Sequence, residues 1–362
     1  MQHSGAGTGT DLDMAAVGAF AQQVAGVLTG GATAAMMVVG DRLGLYAELA
    51  RSGPLTPAGL AGATGTSERY VREWLAQQAA VGFVGYNAAT GTFVLPPEHA
   101  AVLATDGSPA AMIGGAPLIS GLHRRTDELT EAFRTGEGIA WDAQDPAVFE
   151  STERFFGVHY RSHLVGEWIP ALEEMHERLT AGASVADVGC GHGTALILLA
   201  QAYPRSVFTG FDPHEPSVQT ARKRAADAGL SDRVRFEIAH GDDYPDRGYD
   251  LITFFATFHD LGNPVGAAVH ARTALADDGT LMLVEPFALD DLADNLALPG
   301  AGLSYAASTF LCVPTSLSQP VGLALGAQPG EARLREVLTQ AGYRTIRRAG
   351  QTPFNLVIEA RP

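Results

Sequence analysis

Apolar residues along this chain change their spacing twice, and the changes divide it into parts. From Met14 to about Leu49 they recur at helical intervals, with an interruption at Gly30 and Gly31. The next stretch predicts a helix, then a short helix capped near Thr56, then a third opened by Thr66 or Ser67. Apolar and polar positions then alternate through GFVGYNAATGTFVL about an Asn-Ala-Ala-Thr-Gly turn, which predicts a β-hairpin. Three helices followed by a hairpin make a winged helix. Residues 105–180 return to helical spacing, strongest in PAVFESTERFFGVHYRSHLVGEWIPALEEMHERL. Short apolar runs follow: ASVADVGC, SVFTGFD, RVRFEIAHG, YDLITFFA and GTLMLVEPF, alternating with helical segments such as PSVQTARKRAADAG. Such alternation signals βαβ units and a parallel sheet. Proline, glycine, serine and threonine interrupt it over 288–329, before a last helix and two strands, YRTIRRAG and FNLVIEARP. The expected organisation is a disordered tail over 1–12, a helical and winged-helix domain over 13–104, a helical connector and pocket wall over 105–180, and an α/β domain over 181–362 with an insertion at 288–329.

Composition narrows what such a chain can meet. Its 362 residues are 46% hydrophobic and 18% charged, enough for two domains with a large core. Forty acids against 24 bases give a formal charge of −16. That balance repels nucleic acid and anionic membrane surfaces, which are bound by clustered lysine and arginine. No stretch approaches 18 uncharged apolar residues with the flanks of a membrane span, so no membrane partner is expected. The opening MQHSGAGTGTDLD lacks the basic region of a secretory signal, and two cysteines cannot build a disulfide framework. The expected location is the cytoplasm.

Candidate chemistry concentrates in 183–285. VADVGCGHGT follows a strand and opens a helix, and Gly189, Gly191 and Gly193 let the backbone turn sharply and approach a ligand closely. A dinucleotide site has G-x-G-x-x-G; here the third glycine comes one position early, and Asp187 precedes the loop. That carboxylate disfavours a phosphate and favours a ligand carrying an ammonium and a sulfonium. Asp212 ends the next strand, where an acid reaches a ribose diol. The third strand ends in HGDDY, where Asp242 or Asp243 can accept from an adenine amino group and Tyr244 is a further cofactor-binding candidate. The fourth ends in FHDLGNP and the fifth in VEPF, which places His259, Asp260 and Glu285 at the carboxyl edge where open α/β sheets bind ligands. A histidine of ordinary pKa, about 6.5, suits proton removal from a hydroxyl at neutral pH, and a carboxylate orients it.

The GxGxG loop with its ordered acids resembles the class I S-adenosylmethionine-dependent methyltransferases, over roughly residues 145–362. The resemblance implies a seven-stranded Rossmann-like sheet with the last strand antiparallel. It also implies S-adenosylmethionine as cofactor, the glycines against its methionine part, Asp212 on the ribose, and Asp242 or Asp243 on the adenine. With the winged helix in front and an HD pair after the fourth strand, the chain looks like the small-molecule O-methyltransferases of secondary metabolism. It is similar as well to an actinobacterial methyltransferase group. For this chain the resemblance implies His259 as general base with flanking acids, no metal, a small-molecule acceptor and a homodimer held by the N-terminal region. Two positions depart from the pattern: Leu261 stands where the family has tryptophan, and the second flanking acid lacks a clean equivalent, Glu331 being displaced by a few residues.

Other readings compete. His259 could be a structural histidine at a strand end, and the acceptor atom could be nitrogen or carbon, methylated by proximity alone. The fold could hold another adenosine ligand, or a bound cofactor could serve a non-methylating rearrangement. A winged helix also suits a ligand-sensing DNA regulator, but residues 33–104 hold four arginines against five acids, not the basic stripe DNA requires. The aromatic segments FFGVHYRSHLVGEW and SYAASTFLCVP are candidates for the acceptor wall, with Tyr160, Arg161 and Tyr305 the members that join an apolar body to a polar tip.

Overall fold

The computed structural model describes residues 12–105 and 107–362, so the tail expected over 1–12 lies, apart from Leu12, outside the described residues. Contacts group the chain into two units, residues 1–105 and 106–362.

The first unit opens with the helix Met14–Arg42, capped by Asp13, whose carboxylate accepts from the amides of Ala15 and Ala16. It runs unbroken through Gly30 and Gly31, where the spacing predicts an interruption. Two glycines cost a helix about 1 kcal/mol each, and the alanine, valine and methionine around them hold it together. This helix is also apolar and long enough to cross a bilayer, at 29 residues with a mean hydropathy of 1.4. That corrects the expectation that no segment qualifies. The same test is passed by helices that pack against protein. Helices Leu45–Ser52, Pro57–Thr64 and Glu68–Ala80 follow, and the Thr56 hydroxyl caps the second by accepting from Gly59 N at 3.1 Å. Strands β1 (Gly85–Asn87) and β2 (Thr92–Val94) form the hairpin. Gly40 lets the long helix pass Tyr46 and Trp74, since a Cβ there would strike both rings.

The second unit is built on seven strands: β3 (Ser184–Val188), β4 (Val207–Phe211), β5 (Val234–Glu237), β6 (Tyr249–Phe255), β7 (Leu275–Pro286), β8 (Thr345–Gln351) and β9 (Asn355–Arg361). Their order is β5-β4-β3-β6-β7-β9-β8, all parallel except β9, which runs antiparallel to both neighbours. The sheet is apolar on both faces, as parallel strands covered by helices must be. Leu196, Leu199 and Val218 pack on Phe208 and Phe236 on one side. Ala271, Leu334 and Leu338 pack around Tyr249, Phe254 and Ile358 on the other. The strand order reverses between β3 and β6, which opens a crevice beyond their carboxyl ends.

Residues 106–180 belong to the same unit as the sheet. There the helix Pro146–His159 continues into a π-helical stretch, Tyr160–Trp168. The 288–329 insertion is largely helical, with Leu292–Leu296, Ala301–Ala307, a π turn at Ser308–Cys312, and Val313–Leu317. Pro314 sits in the first turn of the last piece, where its missing N–H costs nothing.

Candidate active site

Glycine geometry at the end of β3 shapes a cradle. Gly189, Gly191 and Gly193 have φ of +76°, +51° and +78°, in the left-handed region. Around Gly189 and Gly193 there is no room for a side chain, because a Cβ would strike Thr257 and Phe236. Gly191 instead faces open space, with no atom within 4 Å of where a Cβ would stand. Two buried carboxylates border the loop. Asp187 accepts from the Thr253 hydroxyl at 2.8 Å. Burial pushes its carboxyl up to about 7, the Thr253 bond offsets part of that, and the charge of Asp212 adds to it. Asp212 accepts from Gly191 N and His214 N, both at 2.9 Å, and is likewise raised by burial. A hollow over Gly191 between two buried acids fits a cationic ligand with a diol, since each carboxylate oxygen retains a lone pair.

The third-strand acids are less engaged. Asp243 accepts from His240 N at 2.6 Å and Asp242 is exposed, so both stay open to solvent and available to a ligand. Tyr244 differs from the sequence expectation. Its ring is buried, stacked on Phe211 and set against His270, with its hydroxyl close to Tyr249 and Tyr343 in the core. Its side chain is therefore a packing group, because an aromatic ring at this point fills the layer beneath the sheet.

The base candidates converge. β6 pairs with β7 up to Phe255 and Val284, so Glu285 emerges beside the turn Phe258–Asp260 that follows β6. That turn is tied to the glycine loop, where the Thr257 hydroxyl lies 3.3 Å from the Gly189 carbonyl it donates to. Ala256, just before it, has φ +51°, a left-handed residue without glycine's freedom at the strand end. His259 is 3% exposed and Glu285 fully buried. The Glu285 carboxylate bonds His259 Nδ1 with one oxygen and accepts from Phe258 N at 3.1 Å with the other. On the ring's far side, Nε2 stands 3.3 Å from Asp260 Oδ1. Burial works to keep the ring neutral, but the charges of Asp260 and Glu285 outweigh it and carry His259 well above the ordinary imidazole value. The expectation of an unperturbed histidine thus gives way to one held above its ordinary value, because two carboxylates face it and not one.

Asp260 is the second flanking acid that the sequence pattern lacked. Glu331 is bound instead to Arg335 and Arg348. Sequence reasoning also missed Cys312, whose thiol lies close enough to His259 and Asp260 to bear on their protonation. It lies far along the chain, in a π turn without a local signature. Missed too were Glu153, which holds Thr194 at the start of the helix after the glycine loop and Arg224 on the helix Glu215–Asp227, and Phe149, stacked on His214 at 4.3 Å. Of the expected wall residues, Tyr160 packs on Phe255 and Trp168. Burial and the nearby charges of Asp187, Glu153 and Glu285 raise its phenol, which sets it between loop and base. Arg161 is exposed and lies along its own helix beside Gly157. Tyr305 is half-buried on the helix whose continuation carries Cys312.

Known proteins agree with this geometry. Residues 31–105 match the Rv2258c-like winged HTH domain, and residues 179–328 match a methyltransferase domain. Mitomycin biosynthesis 6-O-methyltransferase of Streptomyces lavendulae is 28% identical over 360 residues, 95% of each chain. 27-O-demethylrifamycin SV methyltransferase of Amycolatopsis mediterranei is 33% identical over 124 residues, 31% of this chain and 45% of that one. Among solved structures, mitomycin 7-O-methyltransferase superposes with a TM-score of 0.71 at 24% identity, covering 96% of this chain and all of the other. Human N-acetylserotonin methyltransferase in complex with S-adenosylmethionine does so with a TM-score of 0.66 at 18% identity, over 98% and 99%. The glycine cradle, its two buried acids and these matches together assign the chain: it is an S-adenosylmethionine-dependent methyltransferase with a winged-helix domain ahead of the catalytic one.

Proposed function

We propose that this methyltransferase acts on a hydroxyl of a small secondary-metabolite acceptor, with His259 as general base. The observation that carries the reading is the clamp on His259. Glu285 fixes Nδ1 from a fully buried position, so Nε2 is the one ring atom left to take a proton. Glu285 and Asp260 then stabilise the imidazolium that forms. The names of the relatives support oxygen as the acceptor atom, since mitomycin 6-O-methyltransferase is similar over nearly the whole chain.

Bound S-adenosylmethionine supplies an electrophilic methyl on a sulfonium. Gly191, Asp187 and Asp212 are the residues to hold it, with Asp242 or Asp243 toward its adenine. His259 must enter the reaction neutral, and a cation arriving beside it favours loss of the proton that Asp260 and Glu285 hold there. Tyr160 closes the space between cradle and base against water.

Loss of a general base costs about 10²–10⁴-fold in rate. His259→Ala is expected to lower turnover by that order on a phenolic acceptor while calorimetry shows cofactor affinity unchanged. Glu285→Gln is expected to lose less, because it removes orientation and charge but leaves the base. Near-wild-type turnover by His259→Ala would overturn the reading in favour of an amine or enolate acceptor methylated by proximity.

The exposed apolar face of Met14–Arg42 favours a homodimer formed through the first ~180 residues, since contiguous apolar surface marks an interface.

A further inference from the structure

Cys312 has no part in methyl transfer as described, yet its thiol is buried beside the two groups nearest the reacting proton. A ring nitrogen of His259, an Asp260 carboxylate oxygen and Cys312 Sγ all lie within 4.8 Å of one another, and Nε2 is the nitrogen that faces Asp260. We infer that these three atoms form a site for zinc or a similar borderline-soft divalent cation, and that its occupancy switches the enzyme off.

The donor set is specific. Imidazole, carboxylate and thiolate together suit zinc or cobalt and exclude magnesium and calcium, which take oxygen alone. The size fits as well. Donor atoms around a tetrahedral zinc stand roughly 3.3–3.6 Å apart, from bond lengths near 2.0–2.3 Å. The His259–Asp260 edge is already 3.3 Å, and the edges to sulfur need only a small inward movement of side chains. Three protein ligands leave a fourth position for water or an acceptor oxygen.

Two further observations point the same way. Asp260 Oδ1 is shielded from solvent and makes no hydrogen bond, because its contact with the ring nitrogen lacks hydrogen-bond geometry. A buried carboxylate oxygen left without a hydrogen bond is unusual, and a metal ion bound there would satisfy it. His259 also has its other nitrogen bound by a buried carboxylate, the arrangement that orients a metal-ligating histidine and raises its basicity. The cation enters as a divalent ion and displaces the thiol proton and any proton on Nε2, so charge and atoms balance without an oxidant.

With zinc on Nε2 the ring has no lone pair for the acceptor proton. The inhibition therefore rests on His259 serving as base, whereas the binding does not.

Cobalt titration of the reduced full-length protein tests the binding without turnover. The expected result is visible absorption of a tetrahedral site and a near-ultraviolet thiolate-to-cobalt band. Cys312→Ser should lose the near-ultraviolet band and Cys190→Ser should keep it, with S-adenosylhomocysteine binding used to confirm that each variant is folded. A missing band in the wild type, or one that persists in Cys312→Ser, would overturn the site. Zinc should then abolish turnover and a chelator restore it. A cobalt band accompanied by undiminished turnover in zinc would instead overturn the inhibition, and with it the role of His259 as base.

Discussion

Asp187 shows how one buried side chain couples ligand, pH and stability. Its carboxyl, pushed up to about 7 by burial, is protonated in the free protein over a range where an unfolded aspartate, near 3.8, is ionised. The folded state binds the extra proton, so this contribution to stability is complete below about 3.8 and lost as pH rises through about 7. A ligand bringing an ammonium to Asp187 reverses the preference by favouring the ionised form. S-adenosylmethionine binding at pH 6 is therefore expected to release a proton, and affinity should rise with pH to a plateau above 7. Calorimetry in two buffers of different ionisation enthalpy measures the release directly. Asp187→Asn should abolish it, and equal release by the variant would assign the proton to another group. The sequence exposed Asp187, Asp212, His259 and Glu285 because each ends a strand at a fixed place in a repeating pattern. Cys312 and Glu153 were invisible, because what makes them part of the site is contact across the fold.

At the scale of elements, legibility followed periodicity. The hairpin betrayed itself by alternation, and the buried strands of the sheet by short continuous apolar runs, both imposed by side-chain burial. Two kinds of element escaped. The π stretches Tyr160–Trp168 and Ser308–Cys312 depend on one extra residue per turn, which leaves no mark on hydrophobic spacing. The Gly30–Gly31 pair misled because local propensity is weak beside the cooperativity of a 29-residue helix. The glycine loop separates folding from binding in a similar way. Gly193→Ala drives a Cβ into Phe236 at positive φ and should lower the melting temperature by several degrees, as a cost of about 1–3 kcal/mol implies. Gly191→Ala meets no atom, so its melting temperature should fall less while cofactor affinity falls more. Thermal melts and calorimetry on the pair decide the matter. Equal losses of affinity with equal melting shifts would show that the hollow over Gly191 is not the binding surface.

For the molecule as a whole, charge and apolar surface pull in different directions. A formal charge of −16 keeps copies apart in general, while Val27 and Leu28, each 70% exposed on Met14–Arg42, draw apolar partners to one helix. A dimer joined there is expected to give twice the chain mass by light scattering, with little dependence on salt. Replacing Val27 and Leu28 together with glutamate should yield a folded monomer, since neither side chain supports the described core. A wild type of monomer mass would remove the dimer and leave that helix without an explanation in protein contacts.

The place of β9 carries a consequence in time. It is the last of the seven strands to be synthesised, yet it lies between β7 and β8, and among the described residues β8 pairs with no other strand. During translation, β8 emerges with nothing to join and must wait for the segment that follows it. Glu285, at the end of β7, likewise waits for its outer neighbour, the Leu356 register position on β9. Glu285 therefore cannot acquire its final setting early in the chain's synthesis. A ribosome that pauses between the β8 and β9 codons holds a chain with an unfinished sheet edge, the kind of exposed strand that chaperones shield.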